Sequence, residues 1–112
     1  FRRVLFRSAY WRQAMPDLRF AWDSAKARAN VTKHGVSFAE AQTVFLDDRA
    51  RLLDDPEHST DESRFLLLGM SVRLRVLVVV HAYREATGII RLISARRATP
   101  RERRQYQEGD SR

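Results

Sequence analysis

His81 stands at the far end of the longest apolar run of the chain, Val76 to Val80, and Arg84 follows three positions later. An imidazole titrates near neutral pH, so a histidine at a sheet end can take or give a proton. A guanidinium grips an anionic oxygen pair with two parallel hydrogen bonds and keeps its charge at neutral pH. The chain is rich in that group: of 21 basic residues only Lys26 and Lys33 are lysine. Arg64, Arg84, Arg96 and Arg97 flank the apolar runs, and Arg101, Arg103 and Arg104 follow close behind. His34, preceded by Lys33, offers a second imidazole, and Tyr106 a phenol. These types together can move protons and stabilise developing negative charge.

Each of these residues also has a purely structural role available. His81 could be a core-edge histidine bonded to backbone, and Arg84 an exposed turn residue paired with Glu85. Arg64 could bridge to Glu62 or to the acidic stretch Asp54–Glu57. Lys33 and His34 end a helix, where cations complement the dipole. Tyr106 could simply pack its helix onto a sheet. Arg96 and Arg97 are neighbours on a strand and point to opposite faces, so both cannot line one surface if the strand stays regular.

A net charge of +7 favours a polyanionic partner, nucleic acid first. Half of the 14 acids lie between Asp47 and Glu62, which separates two basic ends. The absence of cysteine excludes a disulfide framework, a thiolate zinc site and a cysteine nucleophile, and it suits a reducing, cytoplasmic setting. Asp54, Asp55, Glu57 and His58 are metal-ligand types, but their spacing fits neither an EF-hand nor a zinc signature, so a polar loop without a metal is expected. No Gly-rich phosphate loop or nucleophile elbow is present, and no cofactor is expected. No stretch approaches the ~18 apolar residues of a membrane span.

The positioning elements follow from pattern and caps. Residues 1–17 show no clean period and read as a poorly ordered basic extension; residues 18–112 read as one α+β domain. Leu18 to Trp22 is a short strand. Asp23 caps a helix over Ser24 to Lys33, with Ala25 and Ala29 able to face the core and Gly35 as its stop. Ser37-Phe38-Ala39-Glu40 is a capping box that starts a second helix, with Phe38, Ala41, Val44 and Phe45 inward. Ala50 to Leu53 is strand-like, and Asp54 to Ser63 is a polar loop. Phe65–Met70, Leu74–Tyr83 and Ile89–Ala95 are three strands with short connections, hence an antiparallel meander. Thr99-Pro100-Arg101-Glu102 is a second capping box, opening a short Arg-rich helix that runs to about Glu108. Helices grouped ahead of an antiparallel sheet of four to five strands imply an α+β fold.

Over about residues 18–109 the chain resembles the BrnT family of type II toxins. The resemblance is carried by Phe20-Ala21-Trp22-Asp23, by Lys33-His34-Gly35-Val36-Ser37-Phe38, and by Asp54-Asp55-Pro56-Glu57-His58-Ser59. It continues through Glu62-Ser63-Arg64-Phe65, Val79-Val80-His81-Ala82-Tyr83-Arg84-Glu85, Ile93-Ser94-Ala95-Arg96-Arg97-Ala98-Thr99 and Arg101-Glu102-Arg103-Arg104-Gln105-Tyr106. It implies a RelE-like α+β fold, endoribonuclease activity, and a dedicated antitoxin that caps the toxin as a heterotetramer and supplies operator-DNA contacts. RNA cleavage of this kind needs no metal: a base takes the 2′-OH proton, the oxygen attacks the adjacent phosphorus, cations hold the charge, and an acid protonates the leaving 5′-oxygen. His81, Arg97, Arg96, Arg64, His34 and Tyr106 are the expected catalytic set, with Lys33, Arg84, Arg101, Arg103 and Arg104 as RNA contacts. The competing readings are a non-catalytic nucleic-acid or partner-binding module, and an inactive family relative.

Overall fold

A run of β-branched residues flanked by short turns builds the sheet. The computed structural model describes residues 18–54, 64–84 and 86–108. The extension 1–17, nearly all of the polar loop, Glu85 and Gly109 lie outside the described residues. The elements are β1 (Arg19–Ala21), α1 (Ser24–His34), α2 (Phe38–Thr43) with a 3-10 turn (Val44–Leu46), β2 (Arg51–Asp54), β3 (Arg64–Met70), β4 (Val76–Arg84), β5 (Ile89–Arg97) and α3 (Pro100–Glu108). They form a five-stranded sheet in the order β1-β5-β4-β3-β2. Strands β2 to β5 are an antiparallel meander, and β1 joins β5 in parallel. The α+β class and the element order agree with the sequence reading. No helix among the described residues is long and apolar enough to cross a membrane.

The Thr99 box forms in both directions, with Glu102 Oε1 accepting the Thr99 N–H, whereas at Ser37 only the hydroxyl cap forms, because the Glu40 carboxylate turns to Ser71 and Arg75. The Ser37 hydroxyl accepts the Glu40 N–H at 3.0 Å, and the Thr99 hydroxyl accepts the Glu102 N–H at 3.1 Å. Gly35 closes α1 in the left-handed region at φ 69°. Leu74, expected to open β4, instead sits exposed in the hairpin turn at φ 64°. The Ser71–Arg75 and Leu74–Ser71 backbone bonds close that turn, so the strand starts at Val76.

One face of the sheet carries Leu52, Phe65, Leu67, Leu77, Val79, Ile90, Leu92 and Ala95. It packs under Val36, Phe38, Ala41, Val44 and Phe45 to make the main core. Burying these side chains is the chief stabilisation of the fold. Gly69 lies where the 3-10 turn crosses β3. A Cβ there would stand 2.8 Å from Val44 Cγ1 and 2.9 Å from the Ala50 Cβ.

The expected core positions of α1 are corrected by the structure. Ala25 and Ala29 are exposed, and the buried residue of the helix is Asn30. The helix is anchored by hydrogen bonds rather than by an apolar stripe. Asn30 Nδ2 donates to Ala95 O at 2.8 Å and to Val36 O at 2.9 Å, while its Oδ1 accepts the Ala95 N–H at 3.1 Å. Strand β1 pairs only with Ile89 to Arg91, so among the described residues the outer edge of β5 beyond Arg91 lacks a strand. The Asn30 amide completes the Ala95 backbone groups as a further strand would.

Two substitutions test this framework by urea unfolding. Gly69→Ala is expected to cost about 1–3 kcal/mol, because neither Val44 nor the Ala50 Cβ has room to give way. Asn30→Ala is expected to cost about 2 kcal/mol or more, because it strands buried backbone groups. A midpoint within error of wild type for either variant would refute the corresponding contact.

Candidate nucleic-acid interface

Side chains paired across strands point to one face, and parity along each strand assigns the rest. Met70, Leu68 and Leu66 of β3 and Val76 and Val78 of β4 lie on the face under α3, against Ala98 and Tyr106. The same parity puts Arg64 on that face, and with it Ala82 and Arg84 of β4. Arg96 pairs with Val78, Arg91 with Ala82, and Arg84 with Ile89. Arg19 is level with Ile89, and Arg51 is level with Leu68. Six of the seven strand arginines therefore share the face opposite the main core: Arg19, Arg51, Arg64, Arg84, Arg91 and Arg96. The seventh, Arg97, pairs with Leu77 on the helix-backed side.

A β-bulge makes this segregation possible. Val80 pairs with Ser94 but His81 pairs with Leu92, so Ile93 is an extra residue in β5. Plain alternation would put Arg91 with Arg97. The bulge reverses the phase, and Arg91 shares a face with Arg96 instead.

Helix α3 covers only part of this face. Its contacts to it are Tyr106, whose hydroxyl donates to Asp47 Oδ2 at 2.7 Å, and Gln105, whose carbonyl accepts from Arg51 Nη1 at 2.8 Å. Asp47 Oδ2 also accepts the Met70 N–H at 2.8 Å. A third contact is the ion pair of Arg96 with Glu102, at 2.8 and 2.9 Å. The Arg96 guanidinium holds the Glu102 carboxyl down to about 2, against the opposing effect of burial. The row Arg64–Ala82–Arg91 and the exposed Arg84 lie beyond these helix contacts.

On the other side, the α1 C-terminus reaches the end of β5. Asn30 is bonded at Ala95, and Gly35 O accepts from Arg75 Nη2 at 3.2 Å, one residue before Val76. His34 lies one turn past Asn30, ~6 Å along the helix, and Arg97 lies two residues past Ala95, ~6.6 Å along the strand. His34, half-buried, and the exposed Lys33 and Arg97 therefore lie toward the same end of β5, where no strand pairs with its outer edge among the described residues. Arg75 itself is committed to structure: with Ser71 it ties the buried Glu40 carboxylate, and its guanidinium lowers the Glu40 pKa.

His81, the first candidate by sequence, is elsewhere. It is fully buried in the main core, edge-on to Phe45 at 4.9 Å and tilted against Phe65 at 5.9 Å. Its Nδ1 lies 3.3 Å from Val79 O. Burial pushes its pKa down to about 4, only partly opposed by that backbone contact. In this conformation its ring meets no solvent, so a direct encounter with RNA has no geometric support. Tyr106 is likewise packed, at 7% exposure. Arg101, Arg103 and Arg104 are exposed along α3, with Arg103 Nη1 donating to Ala98 O at 3.3 Å. Sequence reasoning missed Arg91, Arg19 and Arg51. Strand parity could have found Arg51, whereas Arg91 needs the bulge and Arg19 the parallel pairing.

Two helices on one face of a five-stranded sheet, and an arginine-lined, half-covered opposite face, define a small α+β domain with one strongly cationic side. The chain belongs to the family of ribonuclease toxins, BrnT, of type II toxin–antitoxin systems, whose family model matches residues 22–102. Among solved structures, the crystal structure of the Brucella abortus ribonuclease toxin BrnT shares the fold with a TM-score of 0.57 and 21% sequence identity. That match covers 73% of this chain and 97% of the other. No curated protein matches the sequence. The resemblance read from the motifs is thus borne out.

The burial of His81 has a measurable consequence. The unfolded chain takes up the proton near the ordinary value of 6.5, and the folded chain resists it down to about 4. The unfolded state then binds more protons between these values, so stability is full above pH 6.5 and falls as pH drops through that window. The expected loss is about 2–3 kcal/mol by pH 4.5. His81→Leu should flatten the urea-derived stability over this range. An unchanged pH dependence in the variant would show that another group is responsible.

Proposed function

We propose that the chain is an endoribonuclease that seats an RNA phosphate at the outer edge of β5 and cleaves by metal-independent acid–base chemistry. The carrying observation is that His34, a half-buried imidazole, lies one helical turn past the Asn30–Ala95 bond, toward the end of β5 that bears Arg97 on the helix side and Arg96 on the arginine face. Family membership supports the reaction class. Arg64, Arg84 and Arg91 extend the cationic track for the flanking phosphates, and Lys33 adds to it at the helix end. Contacts of this kind hold backbone without reading sequence.

In this reading the 2′-oxygen attacks the adjacent phosphorus, with His34 moving a proton, and Arg96 and Arg97 balance the charge that builds on the phosphoryl oxygens. The products are a 2′,3′-cyclic phosphate and a free 5′-hydroxyl. His81 acts on this chemistry only by fixing the core beneath β4, and Tyr106 only by seating α3. Cleavage of cellular RNA inhibits translation and growth. A cognate antitoxin covers the arginine face, assembles with the toxin as a heterotetramer, and supplies the contacts to operator DNA.

The test is cleavage of end-labelled RNA in EDTA by wild type, His34→Ala and Arg97→Ala. Wild type should leave cyclic phosphate ends, and each variant should lose about 10²-fold or more in rate. Cleavage restored only by added divalent cation would overturn metal independence. A His34→Ala enzyme as fast as wild type would move the proton transfer elsewhere. RNA binding without cleavage by any of the three would favour a binding module.

A further inference from the structure

Arg96, on the open face, is gripped by a carboxylate with both terminal nitrogens. Nη1 and Nη2 donate to Glu102 Oε1 and Oε2 at 2.8 and 2.9 Å. The carboxylate is itself fixed, because Oε1 also accepts the Thr99 N–H at 2.9 Å in the reciprocal cap of α3. The grip is end-on. Among the described residues no hydrogen bond engages Arg96 Nε, so the edge made by Nε and one terminal nitrogen keeps its donors. That edge is the second two-pronged surface of a guanidinium, and its spacing matches two oxygens of a phosphate. The side chain is 39% exposed, so the edge can be reached.

We propose that Glu102 is a positioning residue for phosphate recognition: it clamps one edge of the Arg96 guanidinium so that the other is presented, already oriented, to an RNA phosphate at the end of β5. An unclamped arginine samples many rotamers and must be ordered when the ligand arrives. The clamp removes that cost by tying the side chain to a helix cap. It also gives α3 a second task besides covering the apolar half of the sheet. The inference rests on the reading of the β5 edge as the phosphate site.

Glu102→Gln separates this role from a structural one, since glutamine at the third helical position keeps the cap of Thr99 and removes the ion pair. Two readouts are needed: single-turnover cleavage of a labelled RNA, and binding of the same oligonucleotide with 2′-deoxy sugars, which cannot be cut. The cleavage rate should fall about tenfold and the affinity should fall with it, and both effects should vanish in an Arg96→Ala background. A faster variant would mean that Glu102 competes with phosphate and would overturn the proposal. So would an equal loss in the Arg96→Ala background, or a lowered melting temperature with an unchanged rate. A wild type that binds but does not cut would sink the ribonuclease reading alone. Positioning would then show as weaker binding by Glu102→Gln that disappears without Arg96, and its absence would overturn positioning as well.

Discussion

The amide of Asn30 on the backbone of Ala95 is the contact on which the arrangement turns. It joins α1 to β5 two residues after the bulged Ile93, where among the described residues no neighbouring strand steadies the outer edge. A bulge resets which residues face which side, but only if the strand beyond it is held in the new phase. Asn30 helps to do this with two hydrogen bonds to Ala95, and a third to Val36 fixes its own place, all in a buried setting where leaving any of them unmade is costly. Fixed in this way, Arg96 faces the open side and Arg97 the helix side. The same helix carries His34 toward the end of β5 that bears Arg97. One side chain thus links the phase of β5, which β4 also holds, to the position of the helix.

Much of the fold was legible because its signals are local. Ser37, Thr99 with Glu102, and Gly35 are cap residues whose chemistry acts over a few positions, and each caps its helix as the local pattern requires; Glu40 is the exception, drawn off to Ser71 and Arg75. The run Val76 to Val80 reads as a central strand from its branching and apolarity alone, and β4 is one. The site was less legible. Arg91 was missed because its facing depends on an extra residue in its own strand, and no local pattern announces a bulge. His81 misled because its neighbours in sequence put it at a strand end. What decides its state is Phe45, 36 residues away, and Phe65, on two other elements. The core positions of α1 went wrong for a related reason: periodicity finds apolar stripes, and this helix is fastened by an amide.

The charged residues divide by what they are tied to. Glu40, Ser71 and Arg75 form a closed polar knot between α2 and the β3–β4 turn, in which the buried carboxylate is matched by two partners. A buried charge left alone would be prohibitive, so this knot is best understood as architecture. Glu102 and Arg96 look similar on paper, yet they lie at the border of the open face and remain partly exposed. Arg84, out on the strand end, is exposed. Identical side chains thus range from fastener to exposed cation according to the company that the topology gives them.

The gathering of six arginines on one side of a single sheet also has an energetic meaning for the free protein. Like charges held on a rigid platform repel, and a partner beside each, such as Glu102 for Arg96, relieves part of this. The folded domain therefore carries electrostatic tension that the expanded chain escapes. Mobile anions can discharge it, so the domain should be intrinsically firmer in salt than in dilute buffer, unlike a fold stitched together by surface ion pairs. A bound polyanion relieves the same tension more completely, which makes occupancy of this face and the stability of the fold two readings of one quantity.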